Sequence, residues 1–161
     1  MATLYASRNG VAWSETTPVY SPIGGGNLGV AVGTYEIATN PTIADVIRFC
    51  KVPRGAVVIG GWLTGDDIDT GTETLDIDIG WEANGVDTAD PDGFGNMGLL
   101  TGDTVTEVIP VASIFRNLQG VLNSEGTKAF GAETWISGTV VAAAAAGGTG
   151  TISVKVLYYV P

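Results

Sequence analysis

Histidine is absent from this 161-residue chain, and cysteine occurs once, at position 50. Without histidine, a serine or cysteine nucleophile lacks its usual base, and Lys51, Lys128 and Lys155 stand in no motif that would replace it. A lone cysteine forms no intrachain disulfide, and Cys50 in the apolar run "DVIRFC" reads as a buried, inert thiol. Basic residues are scarce: 7 against 17 acids, for a net charge of −10. Such a chain repels a phosphate backbone or an anionic membrane, which argues against both nucleic acid and membrane as partners. No run reaches the roughly 18 apolar residues of a membrane span. The start, "MATLYASRNG", lacks the basic and apolar regions of a signal peptide, so synthesis in a cytoplasm without export by the general route is expected. No Gly-rich loop leads from a strand into a helix, and "YSPIGGGNLG" is followed by no P-loop lysine, which argues against a nucleotide site. No cofactor is implied.

Charged residues are only 15% of the chain, against about 25% in an average soluble domain. Hydrophobic residues are 45%, and there are 24 glycines. That mixture suits all-β structure with many turns. Strands are predicted over Thr42–Cys50, Ala56–Thr64, Leu75–Glu82, Glu133–Ala143 and Thr149–Val160. "TLDIDIGWEA" alternates most clearly, with Leu75, Ile77, Ile79 and Trp81 on one face and Asp76, Asp78, Gly80 and Glu82 on the other. In the last strand Ile152, Val154, Val156 and Tyr158 alternate with a second, partly apolar row, which places it inside a sheet or at an interface. Residues 84–102, rich in Gly and Pro, read as loop. "TVTEV" could form a short helical turn capped by Asp103, and "VASIFRNL" either strand or a helical turn. Seven to nine short strands predict an antiparallel β-sandwich over residues 41–161, with a jelly roll the expected topology. Residues 1–40 read as either an ordinary first strand with a long loop or an extended N-terminal arm.

The stretch "LTGDDIDTGTETLDIDIG", Leu63–Gly80, carries six carboxylates and no base. Its Gly, Asp and Thr fit a hairpin loop, and Asp76 and Asp78 fall on the face expected to meet water. A catalytic pair needs carboxylates in environments that push their pKa values apart, and nothing apolar adjoins these two on their own face. A glycosidase pair assembled from distant strands is left open. Calcium, which takes six to eight oxygen ligands, is a better rival. Its candidates are Asp66, Asp67 and Asp69 in the first loop, and Asp87, Asp90, Asp92 and Asn96 in "DTADPDGFGN". The second set has part of an EF-hand spacing, but Thr88 and Leu99 stand where the first Asp and the bidentate Glu belong. An Asp-Pro-Asp-Gly turn is the simpler reading. Trp13, Trp62, Trp81 and Trp135 could offer a sugar-stacking surface, although Trp81, in phase with Ile77 and Ile79, reads as core.

The segment Phe49–Gly80, "FCKVPRGAVVIGGWLTGDDIDTGTETLDIDIG", resembles small structural proteins of tailed bacteriophages. In these a strand ending "VP-x-GAVV" leads through a second strand and an acidic, threonine-containing turn to a third strand ending "D-I-G". The resemblance implies a jelly-roll-like sandwich and a virion role, as a capsid decoration (cement) protein or as a minor virion or fibre component. It brings no catalytic or metal-binding residue with it, so no enzyme is expected. It implies a protein on the capsid exterior, assembled in the host cytoplasm. There it would bridge capsomers by contacting the major capsid protein and copies of itself, as a homotrimer. Trp13, Val19, Tyr20 and Ile23 of the arm, with Leu157 and Tyr159 of the last strand, are the expected interface residues. The alternative is a glycan-binding head-fibre or tail module.

Overall fold

A computed structural model describes residues 7–8, 11–12, 28–69, 72–97 and 113–161, with the side chains of 7–8, 11–12 and 113–115 outside the description. Among these residues the regular structure is almost entirely strand. A short antiparallel pair, β1 (Ser7–Arg8) and β2 (Val11–Ala12), comes first. Two antiparallel sheets follow. One has the order β4 (Val46–Val52), β10 (Thr134–Ala142), β6 (Asp76–Trp81), β7 (Asp90–Gly95). The other has the order β3 (Leu28–Ile37), β11 (Gly150–Tyr159), β5 (Val57–Asp66), β8 (Ser113–Asn117), with β9 (Lys128–Ala129) also pairing β5. Of the eight longer strands, only β6 and β7 follow one another within a sheet; every other step changes sheet. One short helix, α1 (Val121–Glu125), ends at Gly126, whose φ of 78° supplies the left-handed stop.

Alternation builds the core. Ile77, Ile79 and Trp81 of β6, Ile136 and Val140 of β10, and Ile47, Phe49 and Val52 of β4 are buried from one sheet. Val58 and Leu63 of β5 and Ile152, Val154 and Val156 of β11 are buried from the other. Trp81, Phe94 and Phe130 pack edge to face, at centroid separations of 5.1, 5.5 and 6.4 Å. The Trp81 indole N–H donates to the Thr88 carbonyl at 2.9 Å. Cys50 is buried, and burial pushes its thiol pKa up to about 11, so it is inert as expected.

Three expectations are corrected. The stretch before Asp76 is not a hairpin loop: β5 and β6 lie in different sheets, and the acidic segment carries the chain between them. Gly, Asp and Thr mark a change of direction but do not say which strands it joins. Residues 90–95 are strand rather than loop, with Ile79 opposite Gly95 and Trp81 opposite Asp90 around an irregularity. β7 lies at the edge of its sheet, where Pro91 need not donate to a ladder. Glycine is required here by closeness: a Cβ on Gly93 would lie 2.2 Å from the Trp81 ring. Finally, the strand expected at Thr42–Cys50 begins later, at Val46. Thr42–Asp45 is a turn in which Ala44 takes φ 72° and the Asp45 carboxylate accepts the Thr42 N–H at 2.8 Å.

Phe94→Ala is expected to cost about 3–5 kcal/mol of stability, by removing one fully buried ring of the aromatic cluster and leaving a cavity beside Trp81. Urea unfolding of the two proteins measures the difference.

Candidate functional site

The acidic segment turns out to hold the sandwich together. Asp69 is buried, and its Oδ2 accepts N–H groups from Thr74 at 2.6 Å, Leu75 at 3.1 Å and Ala145 at 3.3 Å. Its Oδ1 accepts from the Ala146 N–H at 3.3 Å. Burial alone would raise the pKa of this carboxyl, but the four backbone donors outweigh it and hold the value at about 2. The Thr74 hydroxyl donates to the Ala143 carbonyl at 2.7 Å, and Gly148 N–H to Ile68 at 2.9 Å. From the β3–β4 connection, Asn40 donates to the Ala144 carbonyl at 2.7 Å and accepts its N–H at 3.2 Å. The alanine-rich run 143–146 therefore joins three connections at one end of the molecule.

The opposite end repeats the device. The Asn84 side chain donates to Asp87 at 2.8 Å and to the Thr134 hydroxyl, while its oxygen accepts the N–H groups of Val86 and Asp87. Asp87 also accepts the Gly131 N–H at 2.9 Å. The Asn84 hydrogen bond, aided by Gly131 and the Lys128 charge, depresses the Asp87 pKa. Asp87 is thus committed to fastening two loops. Asp90 and Asp92 share a hydrogen bond, and burial together with that neighbour raises the Asp90 pKa. Among the described residues, no group of three or more His, Cys, Asp or Glu side chains could hold a metal ion. Asp87, Asp90, Asp92 and Asn96 are therefore not brought together as a calcium cage with further acids.

Asp76 and Asp78 correct another expectation. They do lie on the outward side of β6, but as half-buried groups, and the Oδ1 atom of each is buried with no hydrogen-bond partner among the described residues. Burial raises both pKa values, and Asp78 also feels the charges of Asp76 and Asp92. Both shift in the same direction, so they do not divide into an acid and a base.

Beside them a groove of about 540 Å³ runs between β4 and β7, over Ser137 and Thr139. Arg48 and Glu82 span it as a two-pronged ion pair, at 2.6 and 2.7 Å. The hydrogen bonds and the opposite charge lower the Glu82 pKa and raise that of Arg48. Trp135 lies between two cations, 5.8 Å from Arg48 and 4.9 Å from Lys51, which is itself paired with Glu133. Lys155 lies 5.8 Å from the Trp62 ring. The three described tryptophans are thus engaged within the protein, by core packing or by a cation.

The other outward surface is different in kind. On β3, Leu28, Val30 and Val32 are 63%, 55% and 53% exposed, while Ala31 and Gly33 between them are buried. Register places Leu28 opposite Tyr159, Val30 opposite Leu157 and Val32 opposite Lys155. Two expected interface residues, Leu157 and Tyr159, therefore share one face with this apolar row. Trp13, Val19, Tyr20 and Ile23 lie outside the described residues. The β3 row itself escaped the sequence reading, because the chain up to residue 40 reads as arm. Its signal is the alternation "LGVAVG", large residues interleaved with small ones, which here runs opposite to habit: the small residues face inward.

No protein-family model and no curated protein matches the chain. Solved structures do. A chain of the cyanophage Pam1 capsid asymmetric unit is 25% identical, covers 92% of this chain and 96% of its own length, and superposes with a TM-score of 0.58. A chain in the capsid of Ralstonia phage GP4 is 18% identical, covering 88% and 89%, with a TM-score of 0.62. A chain in the acidic stable capsid structure of Helicobacter pylori bacteriophage KHP30 is 15% identical, covering 83% and 88%, with a TM-score of 0.54. At those identities the last two show a shared fold.

Two substitutions test the roles of the carboxylates. A carboxyl held near 2 adds stability that is present above the ordinary pKa and lost as pH falls through 2. Asp69→Asn should therefore cost about 2 kcal/mol at neutral pH, and in urea titrations the gap should close between about pH 4 and pH 2. Asp78, raised, has the opposite sign: its ionisation costs stability. Asp78→Asn should raise Tm at pH 7, with the advantage vanishing once the wild-type carboxyl is protonated.

Proposed function

We propose that the chain is a virion structural protein: a capsid decoration, or cement, protein that binds the outer capsid surface and stabilises the head by bridging capsomers. The observation that carries this reading is the likeness to a Pam1 capsid chain along nearly the whole of both chains, at 25% identity. The strand order adds support. Two four-stranded sets, β4-β10-β6-β7 and β3-β11-β5-β8, with the chain changing sheet at almost every step, fit a jelly roll.

On this reading the partners are the major capsid protein and copies of this chain, the latter as a homotrimer. The contacts are the arm residues Trp13, Val19, Tyr20 and Ile23, and Leu157 and Tyr159 on the sheet. The chemistry needed is mechanical. Packaged DNA presses outward on a thin shell, and a protein seated across a seam adds buried apolar area there. At about 25 cal/mol per Å², a modest contact contributes several kcal/mol gross before association costs. Many copies act together. A net charge of −10 suits an exterior position better than one facing DNA. A glycan-binding head-fibre or tail module gains nothing from the described tryptophans, since Trp62 and Trp135 stand next to cations and Trp81 is core. The same-sense shifts of Asp76 and Asp78 give a hydrolase no acid and base pair.

Mixing the purified protein with undecorated particles and sedimenting them tests the reading. The chain should co-sediment in hundreds of copies per particle by gel densitometry, and decorated particles should release DNA at a higher temperature than bare ones. Deleting the residues before Gly24 should weaken co-sedimentation while leaving the sandwich folded. A few copies per particle would indicate a fibre instead, and no co-sedimentation would sink the decoration reading.

A further inference from the structure

Exposed apolar side chains are not scattered over this protein. Among the described residues, six of the nine exposed large hydrophobics lie between Leu28 and Val46: Leu28, Val30, Val32 and Tyr35 on β3, Ile43 in the turn, and Val46 at the start of β4. β3 and β4 are the edge strands of the two sheets, and they lie side by side on one flank of the sandwich. The approach is close enough that a Cβ on Gly33 would lie 2.0 Å from the Phe49 carbonyl oxygen. The small residues of β3 are thus spent on contact with β4, and its large ones are left outside.

Edge strands are usually guarded by charge, because an unguarded one is a template for another chain. β3 runs ten residues, and its one charged side chain is Glu36, near the end, whose carboxylate accepts the Thr151 hydroxyl at 2.6 Å. Asp45, on the same flank, is turned to the Thr42 N–H. The opposite outward surface carries Asp76, Asp78, Glu82 and Asp92. The acids of β6 and β7 therefore lie away from the β3 row, whereas Val46 of β4 lines the groove beside Arg48 and Glu82.

We infer that the exposed apolar row of β3, on the outward face of its sheet, is the surface through which one copy of this chain associates with another. The inference rests on the reading of the protein as one that assembles with copies of itself, and it names the contact. Two arguments favour a second copy as the occupant. The first is electrostatic: molecules with a net charge of −10 repel one another, and this face lets two approach without setting carboxylate against carboxylate. The second is area. A ten-residue strand is roughly 33 Å long. Across β3 and the adjoining β11, with side-chain reach on either side, the face offers on the order of 500 Å². That falls in the small, reversible class of interface, below about 600 Å² per partner. Leu157 and Tyr159, opposite Val30 and Leu28, continue the same apolar surface onto the sheet.

The test compares the full chain with V30K/V32K and with Val86→Lys, which places a lysine at a 70%-exposed valine elsewhere. Size-exclusion chromatography with light scattering reads the mass, and circular dichroism reads the fold. The wild type and Val86→Lys should run at one multiple of 16.5 kDa. V30K/V32K should run at 16.5 kDa with an unchanged spectrum, its self-association weakened at least about tenfold by lysines forced into an apolar contact. Both variants lower the net negative charge, so a general easing of repulsion cannot explain dissociation. If the lysines prevent folding, V30T/V32T keeps the β-branched shape and serves for the same measurement. A monomeric wild type, a V30K/V32K protein of wild-type mass, or equal dissociation by Val86→Lys overturns the inference. Particle co-sedimentation run alongside separates the two claims. A monomer that still decorates particles sinks this contact alone, and an assembly that never decorates sinks the cement reading alone.

Discussion

The fold depends on holding crossings in place. A chain that changes sheet at nearly every step has few local turns to set its register, and the sheets stay paired only if the connections between them are fixed. One carboxylate does most of this at one end. Asp69 gathers N–H groups from the segment leading into β6 and from the connection between β10 and β11, while Asn40 brings the β3–β4 connection to the same alanine run. A polyalanine stretch is well suited to this position, since it presents backbone groups without side chains that would block a carboxylate or carboxamide. Asn84 and Asp87 play the matching part at the other end. Buried backbone donors need partners, and short Asx side chains supply them where strand pairing cannot.

A second consequence of the architecture is the unequal character of its surfaces. β6 and β7 place their acids, together with Glu82, on one outward surface, where burial raises the pKa values of Asp76, Asp78 and Asp90, and neighbouring acids add to it for Asp78 and Asp90. The flank made by β3 and β4 carries valine, leucine, isoleucine and tyrosine instead. For the proposed role, which works by adhesion, this division is useful. Acidity keeps most of the molecule hydrated and averse to casual contact, and the remainder is free to be apolar.

Much of the sandwich was legible in the sequence. The period-2 pattern of β6 sets Ile77, Ile79 and Trp81 on one core-packed face, and all are buried; that of β11 groups Ile152, Val154 and Val156 in one row without saying which way it faces, and these too are buried. The lone thiol of Cys50 was also placed correctly. What could not be read were features set by distant partners. The acidic segment looked like a hairpin because turn chemistry is local, whereas the sheet that β6 joins is decided by β10, some 60 residues on. β7 was hidden by Pro91, Gly93 and Gly95, residues that disfavour a central strand but suit an edge one packed close to Trp81. The β3 row was missed because its alternation runs against the usual rule, and only the nearness of Phe49 explains why.

The last strand has one more implication. β11 lies between β3 and β5, so the chain's longest ladder has its centre supplied last. During synthesis, β3 and β5 have no strand to join them until the ribosome has delivered residues up to Tyr159. Translation products that stop short of β11 therefore leave β3 without its ladder and β5 with one side unpaired, so this sheet closes only once that strand has emerged.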